Sequence, residues 1–274
     1  MAITETKSLE SAYQASEALA RSHYENFPVA SRFLPKNIRR PIAVIYAFAR
    51  QADDIADEGD FTESIRLEKL QNYWQALEKI TQNVLPSESV FIALYDVLKK
   101  NPSLPTELLF DLLRAFKQDV VKKTYINFEE ILNYCQYSAN PIGRLLLHLT
   151  NNATPENLAY SDNICTALQL INFLQDVDSD LKLRNRCYLP QDELKLQTQA
   201  IVIQTQLLRI EQLLKKGAPL GKNLTGLFGF EIRLIINAAN IILKNLKNRK
   251  SDDERSTLKI WHWPQILILS LKIR

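Results

Sequence analysis

A chain of 274 residues, 46% hydrophobic and 24% charged, has ordinary globular composition and ample length for a sizeable core, as one large domain or two small ones. The net charge of +3 hides an imbalance: residues 1–181 hold 17 basic and 24 acidic side chains (net −7), and residues 182–274 hold 17 and 7 (net +10). The basic third lacks a recognition module or aromatic-interleaved basic patch, which argues against nucleic acid and leaves anionic membrane, phosphate groups or plain solvent as its counterparts; Cys135, Cys165 and Cys187, far apart and without a C-x-x-C pair, argue against a zinc site or disulfide framework and fit a reducing cytoplasm.

Apolar residues recur at three and four, and period-2 alternation is hard to find, so the chain is predicted all-α, a single domain over 1–274. The opening MAITETKSLESAYQ lacks the basic and apolar regions of a signal peptide. Residues 8–25 predict a first helix, with Leu9, Tyr13, Ala20 and Tyr24 at compatible spacings. In HYENFPVASRFLP, Pro28 and Pro35 punctuate the chain, and Pro35 opens the helix carrying IAVIYAFARQADDIAD. His23 and Asn26 fall at the mouth of that helix pair.

Tyr46, Arg50, Asp53 and Asp57 step by four, three and four, so a helix sets them in one polar stripe. Like charges at this spacing cost a helix roughly 0.2–0.5 kcal/mol per pair. A cation offsets that cost, and paired carboxylates suit a hard, oxygen-seeking ion such as Mg²⁺. The plainer alternative is a solvated acidic helix end. Asp54 falls off the stripe, and Glu58 and Asp60 are expected in solvent.

Residues 62–81 predict a packing helix with Ile65, Leu70, Trp74 and Leu77 as its apolar side. Pro86-Ser87 predicts the N-cap of the helix carrying VFIALYDVLKK, followed by a turn over 101–105 and a helix over 106–121. Asn127 and Glu130 have capping-box spacing and open FEEILNYCQYSANPIGRLLLHL, which Pro141 should kink. Ser138, Ala139 and Gly143 cluster at that kink, either opening space for a ligand or letting two helices pack closely.

Thr154-Pro155-Glu156 supplies an N-cap, a proline at N1 and a first-turn acid for the helix running through NICTALQLINFLQDVDSDLK. Here the polar stripe recurs: Gln169, Asn172, Asp176 and Asp180 step by three, four and four. LRNRCYLPQDEL follows, with Arg184, Arg186 and Tyr188; a guanidinium there can neutralise and hydrogen-bond diphosphate oxygens. Residues 191–216 predict a long amphipathic helix stopped by Gly217. Residues 221–229 predict a glycine-rich loop that matches no P-loop or dinucleotide fingerprint, and 231–250 the last long helix. No run reaches the roughly 18 apolar residues of a membrane span. The tail LKIWHWPQILILSLKIR instead suits a membrane interface, through its Trp pair and flanking Lys and Arg, or packing on the bundle.

Two helices that each end in an aspartate pair, around an apolar interior, point to metal-assisted departure of pyrophosphate from an organic diphosphate, with Arg50 sharing the charge. The cation left behind needs a dry cavity with aromatic faces, for which Phe27, Tyr46, Tyr134 and Phe173 are candidates.

In order and spacing, HYENF, YAFARQADDIAD, YCQYSANPIG and QLINFLQDVDSD followed by YLP resemble the squalene/phytoene synthase family, from about Tyr13 to the C-terminal helix. HYENFPVAS, ADDIADEGD and SANPIGRLLLHL are most similar to its hydroxysqualene synthase branch. The resemblance implies an all-α isoprenoid-synthase bundle around a central apolar cavity. It implies Mg²⁺ held by Asp53, Asp57, Asn172 and Asp176, with Asp180 completing the second motif. Substrate would be bound by His23, Asn26, Phe27, Tyr46, Arg50, Tyr134, Gln169, Asn172 and Arg186, with Tyr46 and Arg50 at the reacting end. The implied reaction takes presqualene diphosphate to hydroxysqualene and pyrophosphate without NADPH. Its rivals are presqualene diphosphate, squalene or phytoene synthase acting on prenyl diphosphates such as farnesyl diphosphate, and more remotely a non-catalytic assembly factor. Implied partners are the enzyme that forms presqualene diphosphate and the inner face of the membrane, beside a cytoplasmic location. The sequence departs from the family at HYENF, where HSxSF is common, at Gln175, where many members carry Arg, and at Ile242, where some carry Tyr.

Overall fold

The apolar stripe of residues 42–56 becomes the central helix of a first unit. The computed structural model describes residues 2–22, 34, 36–249 and 258–272. Contacts divide the chain into two compact units, Met1–Val121 with Leu145–Asn151, and Lys122–Arg144 with Asn152–Arg274.

The first unit contains α1 (Ala2–Ser22), α2 (Lys36–Asp57), α3 (Glu63–Thr81), α4 (Ser89–Lys100) and α5 (Glu107–Val121). Helix α2 packs against the other four. It can because Ile42, Ala43, Val44, Ile45, Ala47, Phe48, Ala52 and Ala56 leave almost no surface to water. Phe48, Tyr73 and Phe91 interlock at its centre, with ring centroids 4.6–6.0 Å apart. Pro41 sits in the second turn of α2, where it removes one intrahelical donor and is itself buried. Thr62 caps α3 by accepting from Ile65 N–H. Of the predicted apolar side of α3, Leu70 and Leu77 are buried and Trp74 meets Phe110 at 4.7 Å in a tilted contact, whereas Ile65, in the first turn of α3, is exposed. The N-cap of α4 is Glu88, one residue beyond the predicted Ser87.

The second unit runs through β1 (Thr124–Tyr125), α6 (Phe128–Ser138), α7 (Asn140–Leu149), α8 (Pro155–Gln175), α9 (Val177–Arg184), β2 (Cys187–Pro190), α10 (Gln191–Leu196), α11 (Gln199–Gly217), α12 (Leu220–Asn223), α13 (Gly226–Lys247), a 3₁₀ turn (Ile260–His262) and α14 (Trp263–Lys272). Residues 145–149 of α7 group with the first unit. Helix α8 packs against α6, α11, α12 and α13. β1 and β2 form a short parallel pair that periodicity does not announce, because two to four residues carry no period.

Several predicted boundaries shift for local reasons. The helix over 127–149 breaks at Ala139, two residues before Pro141, because the proline has no N–H to continue the ladder. Asn127 accepts from Glu130 N–H as predicted, but the Glu130 carboxylate turns to Ile126 N–H and the Lys122 ammonium instead of closing the box. The helix predicted over 191–216 is interrupted at 197–198, where Gln197 is extended and Thr198 occupies the next N-cap. Gly217 ends α11 as a helical residue, and its role is close approach: a Cβ there would lie 2.5 Å from Ile164 Cγ1 and 2.9 Å from the Tyr160 carbonyl oxygen of α8. Gly143 likewise packs α7 on α8, since a Cβ would collide with Ser161 and Cys165; of the two predicted uses for small residues there, close packing is the one seen at this position. Residues 221–229 are not a loop but the end of α12 and the start of α13, joined through Leu224 and Thr225. Helix α13 is long and apolar enough to cross a membrane by composition, contrary to the expectation that no run is; 56% of that stretch is buried inside the protein, and it packs on α8, α11, α12 and α14.

Candidate active site

Helix α2 keeps its periodicity through its last residue, so Tyr46, Arg50, Asp53 and Asp57 lie on one face as their spacing requires. The Arg50 guanidinium, 26% exposed, places Nη2 2.7 Å from Asp54 Oδ1 and Nη1 3.5 Å from Asp53 Oδ2. Its nearer partner, and the one it hydrogen-bonds, is Asp54, the residue off the predicted stripe, while the Asp53 charge also favours its charged form. Arg50 Nε is buried with no hydrogen-bond partner, leaving one donor unused. Asp53 keeps 38% of its side-chain surface open. Burial of the remainder, then the like charge of Asp57, pushes its pKa up to about 7, with Arg50 opposing and Asp119 adding to the rise. Asp119 is a buried carboxylate of α5 that sequence reasoning passed over. Its signal was available: Leu108, Leu112, Ala115 and Asp119 recur at four, three and four on the buried side of α5.

The C-terminus of α2 is held from outside by Arg66 of α3, which was predicted to lie in a helix with a packing role only. Its guanidinium donates to the carbonyl oxygens of Ile55 (3.0 Å), Glu58 (2.9 Å), Gly59 (2.6 Å) and Phe61 (3.2 Å). Four carbonyls at a helix end receive a cation, which matches both their unsatisfied acceptors and the negative pole of the helix. Gly59 (φ +75°) makes the reversal into α3 without strain. Glu58 and Asp60 are exposed, as predicted.

The second motif does not lie on one continuous helix. Helix α8 ends at Gln175, Asp176 adopts φ −111° and ψ 12°, and α9 starts at Val177. Two i to i−4 bonds bracket the break: Asp176 N–H donates to the Asn172 carbonyl at 3.0 Å and Asp180 N–H to the Asp176 carbonyl at 2.8 Å. The break thus lies inside the stripe and leaves Gln169, Asn172, Asp176 and Asp180 all half-buried. Arg184 Nη1 lies 3.2 Å from Asp180 Oδ1. Burial pushes the Asp180 pKa up to about 6; Arg184 and the buried Arg186 oppose the rise, and Asp176 adds to it. Asn185, in the left-handed region at φ 52°, turns the chain so that Arg186 N–H reaches the Asp180 carbonyl at 3.0 Å.

The buried Tyr134 and Phe173 are joined by two rings that the sequence did not single out as wall residues, Tyr125 and Tyr188. Tyr188 stacks on Phe173 at 3.8 Å and 6°, and on Tyr125 at 5.4 Å, while Tyr134 meets all three at 5.6–5.9 Å. The four rings come from β1, α6, α8 and β2, so no sequence window contains them. His23, Asn26 and Phe27 lie outside the described residues.

Among the described residues no three His, Cys, Asp or Glu side chains converge into a preformed metal cluster. Each aspartate stripe taken by itself nevertheless has the chemistry of a site for a hard divalent cation. Asp53 and Asp180 both sit where burial and a neighbouring carboxylate disfavour their charge, and positive charge is what would relieve that.

The squalene/phytoene synthase family model matches residues 20–262. The chain is 34% identical over 250 residues to hydroxysqualene synthase of Rhodopseudomonas palustris, covering 86% of this chain and 84% of the relative. It is 32% identical over 255 residues to hydroxysqualene synthase of Sinorhizobium fredii, covering 88% and 85%. The crystal structure of squalene synthase HpnC from Alicyclobacillus acidocaldarius superposes with a TM-score of 0.79 at 30% identity, covering 88% of this chain and 94% of that one. A dehydrosqualene synthase in complex with ligand shares the all-α fold, with a TM-score of 0.84 at 20% identity over 97% and 98% of the two chains. With the family matched over most of its length, this chain is an enzyme of the squalene/phytoene synthase family.

Proposed function

We propose that the protein converts presqualene diphosphate to hydroxysqualene and pyrophosphate. The observation that carries this reading is the similarity to two hydroxysqualene synthases over more than four fifths of every chain compared. The reaction breaks the substrate C–O bond, with its electron pair leaving on pyrophosphate. The carbocation rearranges, a water oxygen adds to it, and one proton is released; no reductant is consumed.

In this reading Asp53, Asp57, Asn172 and Asp176 hold Mg²⁺, with Asp180 completing the second motif. When bound, Mg²⁺ would neutralise diphosphate oxygens and stabilise the departing pyrophosphate. Arg50 donates to the diphosphate, and its unpartnered Nε supports that role. Asp54 orients the guanidinium through its 2.7 Å contact with Nη2. Gln169 and Arg186, with His23 and Asn26, bind the diphosphate end. Tyr46, Phe27 and Tyr134 line the apolar part, where Tyr188 and Phe173 add ring faces that favour a cation and exclude water. The location proposed is the cytoplasm, at the inner face of the membrane, beside the enzyme that forms presqualene diphosphate.

The solved squalene synthase at 30% identity supports a second reading, head-to-head condensation of two prenyl diphosphates. One assay separates the two. The purified protein is incubated with Mg²⁺ and either presqualene diphosphate or farnesyl diphosphate, with and without NADPH, and products are identified by mass spectrometry. Hydroxysqualene from presqualene diphosphate without NADPH is expected. Turnover of farnesyl diphosphate alone would overturn the first reading in favour of the second. Asp53→Asn and Asp176→Asn should each lower turnover by at least about a hundredfold at unchanged helicity; full activity in both would sink the metal assignment.

A further inference from the structure

Helix α14 has an inward side that accounts for only part of its circumference. Ile266 and Ser270, one turn apart, are fully buried. Ser270 Oγ accepts from Asn237 Nδ2 at 2.9 Å and the Ser270 carbonyl accepts from Arg233 Nε at 2.9 Å, which ties the helix to α13. The outward side is apolar too. Leu267, Ile268 and Leu271 are 40%, 53% and 65% exposed, and Trp261 before them is 65% exposed. At 100° per residue, Leu267, Leu271 and Ile268 form one continuous strip that runs from the flank of the α13 contact to its far side. A helix that solvent alone covers would be polar there.

Charge on this segment has one sign. Glu254 is the last acidic residue of the sequence, and Arg255, Lys259, Lys272 and Arg274 follow it. The Lys259 ammonium lies over the Trp261 ring, 5.3 Å from its centroid. The 3₁₀ turn fixes that pair: Lys259 N–H donates to His262 Nδ1 and His262 N–H to the Lys259 carbonyl, both at 2.9 Å. An exposed indole beside an ammonium, at the end of an apolar strip, matches the headgroup layer of a bilayer, where the ring rests at the interface and the cation meets phosphate.

We infer that α14 and the turn before it form an in-plane anchor that docks the protein on a bilayer surface bearing anionic lipid. The helix cannot span, since ten residues rise about 15 Å against about 30 Å of hydrocarbon. A second copy of the chain fits the strip less well. A patch about 15 Å long and one helix wide falls far below the roughly 800 Å² per partner of a stable interface, and a two-fold contact would set like charges against each other. The inference deepens the membrane-surface location proposed above and does not depend on the reaction, so its test uses no substrate.

The full chain is sedimented with vesicles of phosphatidylcholine alone and of phosphatidylcholine mixed with phosphatidylglycerol. Binding to the mixed vesicles is expected, with weaker binding to the neutral ones and at high salt. The double variant Ile268→Glu/Leu271→Glu should lose at least about tenfold in vesicle affinity, and Trp261→Ser a smaller factor. Both should keep the wild-type melting temperature, because the three side chains are exposed. No binding to the mixed vesicles, or equal binding by wild type and double variant, overturns the anchor. So does a dimer in sedimentation velocity that the double variant turns into monomer. A failed hydroxysqualene assay with intact vesicle binding would remove the reaction and leave the anchor standing.

Discussion

Arg66 offers a test of how the first aspartate stripe is held in place. Replacing it with Ala removes four hydrogen bonds, to the carbonyls of Ile55, Glu58, Gly59 and Phe61, and withdraws a cation from the C-terminus of α2. Three of the four bonds are exposed, so each is worth about 0.5 kcal/mol, the low end for a hydrogen bond, and together about 2 kcal/mol. For a chain of this size each kcal/mol moves the melting temperature by about 2 °C, so Arg66→Ala should melt about 4 °C lower. The lost contacts lie around and beyond Asp57, the last residue of α2, whereas Asp53 sits a turn earlier among buried neighbours. On the proposal that Asp57 helps hold Mg²⁺, the functional loss should appear mainly as a higher Mg²⁺ requirement, with turnover at saturating Mg²⁺ much less affected. Arg66→Lys, which keeps the charge but not the planar fork, should recover part of the stability. The assays are thermal melts by circular dichroism and Mg²⁺ titrations of turnover. A melt within 1 °C of wild type, together with an unchanged Mg²⁺ requirement (about 1 °C is half a kcal/mol here), would refute the reasoning.

Gly217→Ala places a methyl group against the α8 backbone at the Tyr160 carbonyl, which cannot yield as a side chain can; a loss of about 1–3 kcal/mol is expected in denaturant unfolding. Glu130 should give acid-dependent stability. The Lys122 hydrogen bond first, and Ile126 N–H second, hold its pKa below the ordinary 4.5, so its contribution is fully present above that pH and is lost as the pH falls through the lowered folded value. Wild type should exceed Glu130→Gln by about 1 kcal/mol at neutral pH, with the gap closing below about pH 4, as measured by urea melts across pH; a gap that widens in acid would contradict the assignment.

Much of the helical order was legible because amphipathic periodicity, capping residues and prolines act within a few positions of one another. Thr154-Pro155-Glu156 opens α8, and the first aspartate stripe follows from spacing alone. Boundaries set by packing were less visible. Gly217 read as a stop signal, yet its partner is the backbone of α8, and the glycines at 221–229 read as loop although they sit in helices. Family membership was legible too, since the motifs occur in order along the chain.

The sequence by itself determined the first D-x-x-x-D stripe and the helix that carries it, because residues four apart on a helix have no other place to go, but it did not show that the second stripe crosses from α8 to α9 at Asp176. Only the tertiary structure decided that Asp54 lies nearer to Arg50 than Asp53 does, that Arg66 closes the end of α2, that Asp119 raises the Asp53 pKa, and that Tyr188 stacks on Phe173. Arg50 faces two carboxylates at allowed helical spacings and of nearly equal exposure, and its rotamer in the packed structure sets which is nearer. The other three pairs join residues 11 to 66 positions apart on separate elements, and contacts of that kind exist only once the elements have packed.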